Sequence, residues 1–221
     1  VTCNSVDAET WFPQIQIKIK PLDWLNIRLA STKSIIYPDY RAVSPYSNYN
    51  TSSAPAVLDL GNPYLKPATS QNYDVYASVY DNHIGLFTVG YFYKEIEDLI
   101  VPVSYFSTDA SLINNRIEVS QSNRTQMNTW ANLEDPSYVN GFELDWQTHF
   151  WYLPSHLKGL VFNINYTKVF SESYYNYIRT KRTGNPPFYT YEYIDTTRTG
   201  RLVDQPDDIL NLTICYDIDG F

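Results

Sequence analysis

The chain has 221 residues and a formal net charge of −8, with aromatics at 16 % and 21 tyrosines among them. The acidic balance leaves no basic stripe for phosphates and excludes nucleic acid as a partner. No run of eighteen or more apolar residues occurs, which excludes a transmembrane helix.

The first element pair is a hairpin from Gln14 to Lys33. Ile15, Ile17 and Ile19 alternate with Gln16, Lys18 and Lys20. A tight turn at Pro21-Leu22-Asp23 follows, and Leu25, Ile27 and Leu29 then alternate with Asn26, Arg28 and Ala30. A period of two with one apolar and one polar face marks β-strands. Residues 34–70, rich in Ser, Pro, Tyr and Asn, read as a long irregular loop of a length that signals function or disorder.

The second hairpin is Asn72 to Leu99. Tyr73, Val75, Ala77 and Val79 share one face, the short turn is Tyr80-Asp81-Asn82-His83, and Phe87, Val89, Tyr91 and Tyr93 return opposite Thr88, Gly90 and Lys94. A second long polar loop covers 102–138. The third hairpin opens with Gly141 to Phe150, where Phe142, Leu144, Trp146 and Phe150 oppose Glu143, Asp145, Gln147 and His149. It turns through Leu153 to Gly159 and returns with Phe162, Ile164 and Tyr166. A third long loop spans 171–206, and a last strand sets Leu210, Leu212, Ile214 and Tyr216 against Asn211, Thr213 and Cys215.

The fold class expected is therefore all-β. About seven strands form part of an antiparallel up-and-down transmembrane β-barrel over 1–221, with short periplasmic turns alternating with long extracellular loops. Tyr73, Tyr91, Tyr93, Tyr166 and Tyr216 fit the interfacial aromatic girdle. Lys18, Lys20, Arg28 and Lys94, with Glu143 and Asp145, fall on the wet inner face, where acidic residues are expected to pair with Arg or Lys.

Signals for chemistry are sparse. His83, His149 and His156 show no metal-ligand spacing, so no metal and no cofactor is expected. Glu143 and Asp145 lie two residues apart, roughly 7 Å, but point side by side, whereas glycosidase carboxylates face each other across a substrate. Asp204, Asp207, Asp208, Asp217 and Asp219 lack the spacing of a calcium loop and read as solvated loop charge. Cys3 and Cys215 are either two unrelated thiols or a disulfide. No catalytic residue is expected, and the chain reads as no enzyme. The candidate ligand-binding residues are Tyr174, Tyr175, Tyr177, Tyr189, Tyr191 and Tyr193 in the third outer loop. They would either stack on a ligand or pack the loop against its neighbours.

Four segments carry a family resemblance. Asn62 to Asp74 resembles the "NPxLKPxxSxNYD" segment of TonB-dependent outer-membrane receptors. Tyr91 to Ile100 resembles the strand that follows it. Val139 to Trp146 resembles the "GxELxWQ" strand, and Gln205 to Leu212 resembles a later strand start. The resemblance implies a bacterial outer-membrane location and active uptake of a scarce bulky solute: an iron chelate, a vitamin or an oligosaccharide. It implies as partners the TonB complex, reached through an N-terminal part, outer-membrane lipid and a surface lipoprotein. It also implies a plug domain and a closed 22-strand barrel, so the chain is expected to be an excerpt, with Phe221 only mimicking a terminal insertion aromatic. The alternatives are a soluble β-sandwich glycan-binding module and a β-rich hydrolase with opposed carboxylates.

Overall fold

The computed structural model describes residues 11–53, 56–107, 125–186 and 188–217; at 106–107, 176–178, 180 and 191–195 it describes the backbone alone. Seven strands form one antiparallel wall in the order β1 (Gln14–Leu22), β2 (Leu25–Ile36), β5 (Ala68–Asp81), β6 (Gly85–Glu97), β9 (Ser137–His149), β10 (Leu160–Thr183) and β12 (Asp208–Tyr216). Each wall strand pairs with the one that precedes it in the wall, as an up-and-down sheet requires.

The register shows why the alternation in the sequence is strict. One row of partners crosses all seven strands: Ile19, Ile27, Ala77, Val89, Leu144, Tyr166 and Leu210. The next row towards the short turns holds Leu25, Val79, Phe87, Trp146, Ile164 and Leu212. Cross-strand partners share a face, so these rows make one continuous apolar surface. It is not a buried core: Leu212 is 55 % exposed and Ile214 63 %. In water such a surface would cost about 25 cal/mol per Å²; in hydrocarbon it costs nothing. The 13 residues of β9, rising about 3.4 Å each and tilted by about 40°, cover roughly 30 Å of height, enough for a bilayer core.

Aromatic residues bracket this band. Near the long-connection end, Tyr73 and Tyr93 lie 6.4 Å apart and Tyr93 and Tyr138 6.3 Å apart, ring centre to ring centre. At the short-turn end, His83 stands 5.6 Å from Trp151 and 5.2 Å from Tyr152. Two indole N–H groups tie adjacent hairpins there: Trp146 Nε1 donates to the Ile84 carbonyl and Trp151 Nε1 to the Asn82 carbonyl, both at 2.8 Å. Trp151→Phe removes one such bond and nothing else of the ring stack. The expected cost is about 0.5–1.5 kcal/mol, read from denaturant unfolding of the full-length protein in lipid vesicles.

The first two long stretches are not irregular, which corrects the loop expectation for 34–70 and 102–138. They hold a short helix α1 (Tyr40–Val43) and four strands: β3 (Ser47–Asn50), β4 (Ala56–Leu60), β7 (Ile100–Ser107) and β8 (Thr125–Asn132). These make a second sheet in the order β3-β4-β8-β7, in which β4 and β8 run parallel and join the two stretches. The physical reason is mutual: each stretch forms only a two-stranded ribbon, marginal by itself, and pairing β4 with β8 makes a four-stranded sheet with Leu58 and Met127 buried at its centre. The third stretch, 171–206, is also mostly strand. β10 continues for 24 residues and turns back as β11 (Thr190–Gly200), paired from Ser173↔Gly200 to Thr183↔Thr190. Its Tyr- and Thr-rich composition favours strand without any apolar face to betray it.

β11 and β12 share the same edge of β10, one above the other. Between them, residues 201–207 break the ladder opposite 169–172. Pro206 has no N–H to give, and Asp204 takes a left-handed backbone (φ 60°). Arg201 pairs with Asp207, and Lys168 Nζ meets Asp208 Oδ2 at 2.7 Å. Two of the acidic residues expected to be merely solvated are therefore held by cations.

Candidate functional site

The inner face of the wall carries the polar half of each strand. At its centre Tyr76, Gly90 and Glu143 lie in one row across β5, β6 and β9. The Tyr76 ring lies across Gly90 and its hydroxyl donates to Glu143 Oε2 at 2.8 Å. A Cβ on residue 90 would fall inside van der Waals contact of that ring, so only glycine leaves Tyr76 this path. The neighbouring row repeats the device: the Phe92 ring occupies the space over Gly141. The Arg28 guanidinium sits over the Tyr76 ring, 5.5 Å from its centre. Thr32, Asn72, Asp74, Phe92 and Lys94 complete a recess of about 360 Å³ around Tyr76 and Glu143. The expectation was that Glu143 pairs with Arg or Lys of a neighbouring strand or of a plug; within this wall its partner is instead a phenol. Asp145 accepts from Gln147 Nε2 at 3.2 Å.

The candidate tyrosines are spread along the outer hairpin. Tyr174 and Tyr175 are adjacent on β10 and so point to opposite faces of the ribbon. Tyr174 Oη donates to Glu172 Oε1 at 3.1 Å, which raises the phenol above its ordinary pKa. Tyr175 Oη donates to the Arg201 carbonyl at 2.9 Å and steadies the break after β11. The Arg182 guanidinium covers the Tyr189 ring at 4.3 Å. Tyr177, Tyr191 and Tyr193 are strand residues paired with Thr196, Arg182 and Thr180; their side chains lie outside the described residues.

Sequence reasoning did not single out the second sheet. One of its rows is Tyr49, Leu58, Met127 and Tyr105, with Leu58 0 % and Met127 1 % exposed. Burial pushes the Tyr105 phenol up in pKa. The adjacent row is polar throughout: Asn48, Asp59, Asn128 and Ser104. Asn128 Nδ2 donates to Asp59 Oδ1 at 2.8 Å, and Asn128 Oδ1 accepts from Ser104 Oγ at 2.8 Å and from Gln126 Nε2 at 3.1 Å. The available signal was the alternation of Val57 to Leu60 against that of Gln126 to Thr129, two short runs far apart in the chain.

Among the described residues no three His, Cys, Asp or Glu side chains gather as a metal ion would need. Cys215 is exposed on β12 and Cys3 lies outside the described residues. His83 and His156 occupy the short connections, and His149 ends β9. A single apolar-outside wall with polar inner rows, aromatic margins and all long connections at one end is the geometry of an outer-membrane barrel.

Residues 2–221 match the family described as TonB dependent receptor-like, beta-barrel. The chain belongs to that family. Its members are outer-membrane β-barrel proteins of Gram-negative bacteria, and membership sets aside the soluble sandwich reading. No curated protein is similar enough in sequence to match. Several solved structures share the fold. The Serratia marcescens hemophore receptor HasR, solved with its hemophore HasA and heme, superposes with a TM-score of 0.55 at 14 % identity, over 95 % of this chain and 34 % of that one. The siderophore receptor PirA from Acinetobacter baumannii gives 0.51 at 15 %, over 96 % and 35 %. The ferric enterobactin receptor PfeA from Pseudomonas aeruginosa, in complex with enterobactin, gives 0.53 at 16 %, over 74 % and 24 %. The TonB-dependent barrel segment described here therefore spans between a quarter and about a third of the receptors it resembles.

Proposed function

We propose that the protein containing this segment is an outer-membrane receptor that imports an iron chelate, a siderophore or heme, with energy delivered through TonB, and that it performs no chemical conversion of its cargo. The observation that carries the reading is family membership over nearly the whole chain. The choice of iron chelate over a vitamin or an oligosaccharide is supported by the receptors of like fold, which include two for siderophores and one for heme. Within the segment, the outer hairpin supplies the solute contacts. Tyr174, Tyr175, Tyr177, Tyr189, Tyr191 and Tyr193 offer large rigid faces at low entropic cost, and Arg182 and Arg198 add cationic groups suited to an anionic chelate. TonB, outer-membrane lipid and a surface lipoprotein are the partners of this reading.

The test is radioiron uptake by cells that carry the full-length protein as their sole receptor of this kind, offered ferric enterobactin or heme. Uptake of either that disappears when TonB is deleted is the expected result. Cells that take up neither, but accumulate vitamin B12 or a labelled oligosaccharide, overturn the choice of cargo. Replacing Tyr174 by Ala is expected to weaken chelate binding by about 2- to 10-fold, because one stacked aromatic contributes about 0.5–1.5 kcal/mol beyond its buried area.

A further inference from the structure

We infer that the described parts of the first two outer stretches, 37–53 with 56–67 and 98–107 with 125–136, are not two independent loops but one cooperative flap that orders and rearranges as a single body. Three separate connections join them. The first is the backbone ladder between β4 and β8, from Ala56↔Thr125 to Asp59↔Asn128. The second is a shared pair of side-chain layers: Leu58 of one stretch and Met127 of the other are the buried centre of the sheet, packed with Tyr49, Leu60 and Tyr105, while Asn128 links Asp59 of one stretch to Ser104 of the other on the opposite face.

The third connection is at the base. Asn132 Nδ2 donates to the Lys66 carbonyl at 2.9 Å and to the Asp98 carbonyl at 2.7 Å, and Asn132 Oδ1 accepts from the Lys66 amide at 2.9 Å. One side chain thus uses both its amide hydrogens and an oxygen lone pair to clamp both stretches. Asn62 Nδ2 adds a bond to the Trp130 carbonyl at 2.9 Å. Opening one stretch alone would expose Leu58 or Met127 and orphan the β4 and β8 backbone together, so neither is free to order without the other. The hairpin of β10 and β11 belongs to the other sheet and shares no ladder with the flap. Among the described residues, the long-connection end of the wall therefore carries two bodies, a flap and a hairpin.

Hydrogen exchange of the full-length protein in lipid nanodiscs, read by mass spectrometry, tests this without any cargo. Leu58→Ala is in β4, yet the amides of β7 and β8 are expected to exchange faster by the same factor as those of β3 and β4, roughly 30- to 1,000-fold. Met127→Ala is expected to do the reverse with equal reach. Protection of β5, β6 and β9 reports that the wall is folded; where Leu58→Ala disturbs it, the milder Leu58→Val gives the same reading at roughly 3- to 10-fold. A result in which β7 and β8 keep their protection while β3 and β4 lose theirs overturns the inference.

Discussion

Leu144→Arg is expected to destabilise the folded barrel by about 2–4 kcal/mol, the cost of a cation at mid-depth on a lipid-facing strand. Leu144 sits in the apolar row that crosses all seven wall strands, between Val89 and Tyr166. Its row partners Val89 and Tyr166 carry no carboxylate, Asp208 beyond Tyr166 is already held by Lys168, and the guanidinium would have to reach an interface past Phe142 or Trp146. The control is on the adjacent strand and the other face. Asn165 pairs with Asp145 and Asn211 on the polar inner side, so Asn165→Arg is expected to cost less than about 1 kcal/mol and to gain a partner in Asp145. Both are read from equilibrium folding of the full-length protein into lipid vesicles. Equal costs for the two substitutions would mean that the apolar rows do not face lipid.

Gly90→Val is expected to cost about 2.5–6 kcal/mol, from two sources. Over-packing against the Tyr76 ring contributes about 1–3 kcal/mol. Displacing the phenol from Glu143 loses a hydrogen bond to a charged group, about 1.5–3 kcal/mol. Tyr76→Phe isolates the second part, because it keeps the ring over Gly90 and deletes only the donor. In a Tyr76→Ala background the penalty for Val at residue 90 is expected to shrink below about 1 kcal/mol, since the ring that collides with it is gone. This non-additivity is the signature of direct contact, measured in the same vesicle assay. Strictly additive costs would show that the ring does not depend on the bare backbone at residue 90.

The seven wall strands were legible in the sequence because lipid imposes one demand on every strand. Ile15 to Ile19, Phe87 to Tyr93 and Leu210 to Tyr216 each expose an apolar face, and no neighbour relieves them of it. The flap strands face no such demand. Tyr49, Leu58, Met127 and Tyr105 form one layer, but its four residues come one from each of four strands, and the parallel pairing of β4 with β8 joins segments that no local period connects. The outer hairpin was hidden for the opposite reason: its composition is Tyr, Thr, Arg and Lys on both faces, so its strands carry no alternation. Of the candidate tyrosines, the sequence placed them on one outer element and the structure keeps them on one hairpin. It could not foretell that Tyr174 would be held by Glu172 and Tyr175 by the Arg201 carbonyl, since both bonds depend on the hairpin register.

The flap also bears on how the wall assembles. β2 ends at Ile36 and β5 begins at Ala68; β6 ends at Glu97 and β9 begins at Ser137. Bringing such strand pairs together through free chain carries a loop-closure entropy that grows slowly with length, about 0.6 kcal/mol per doubling. Once β4 and β8 have paired, the two stretches no longer fluctuate separately. The ends of β2, β5, β6 and β9 then lie a few residues from one common body, and Asn132 fastens two of those exits directly. Three hairpins that would each have searched for a neighbour are delivered to one another already gathered at one end.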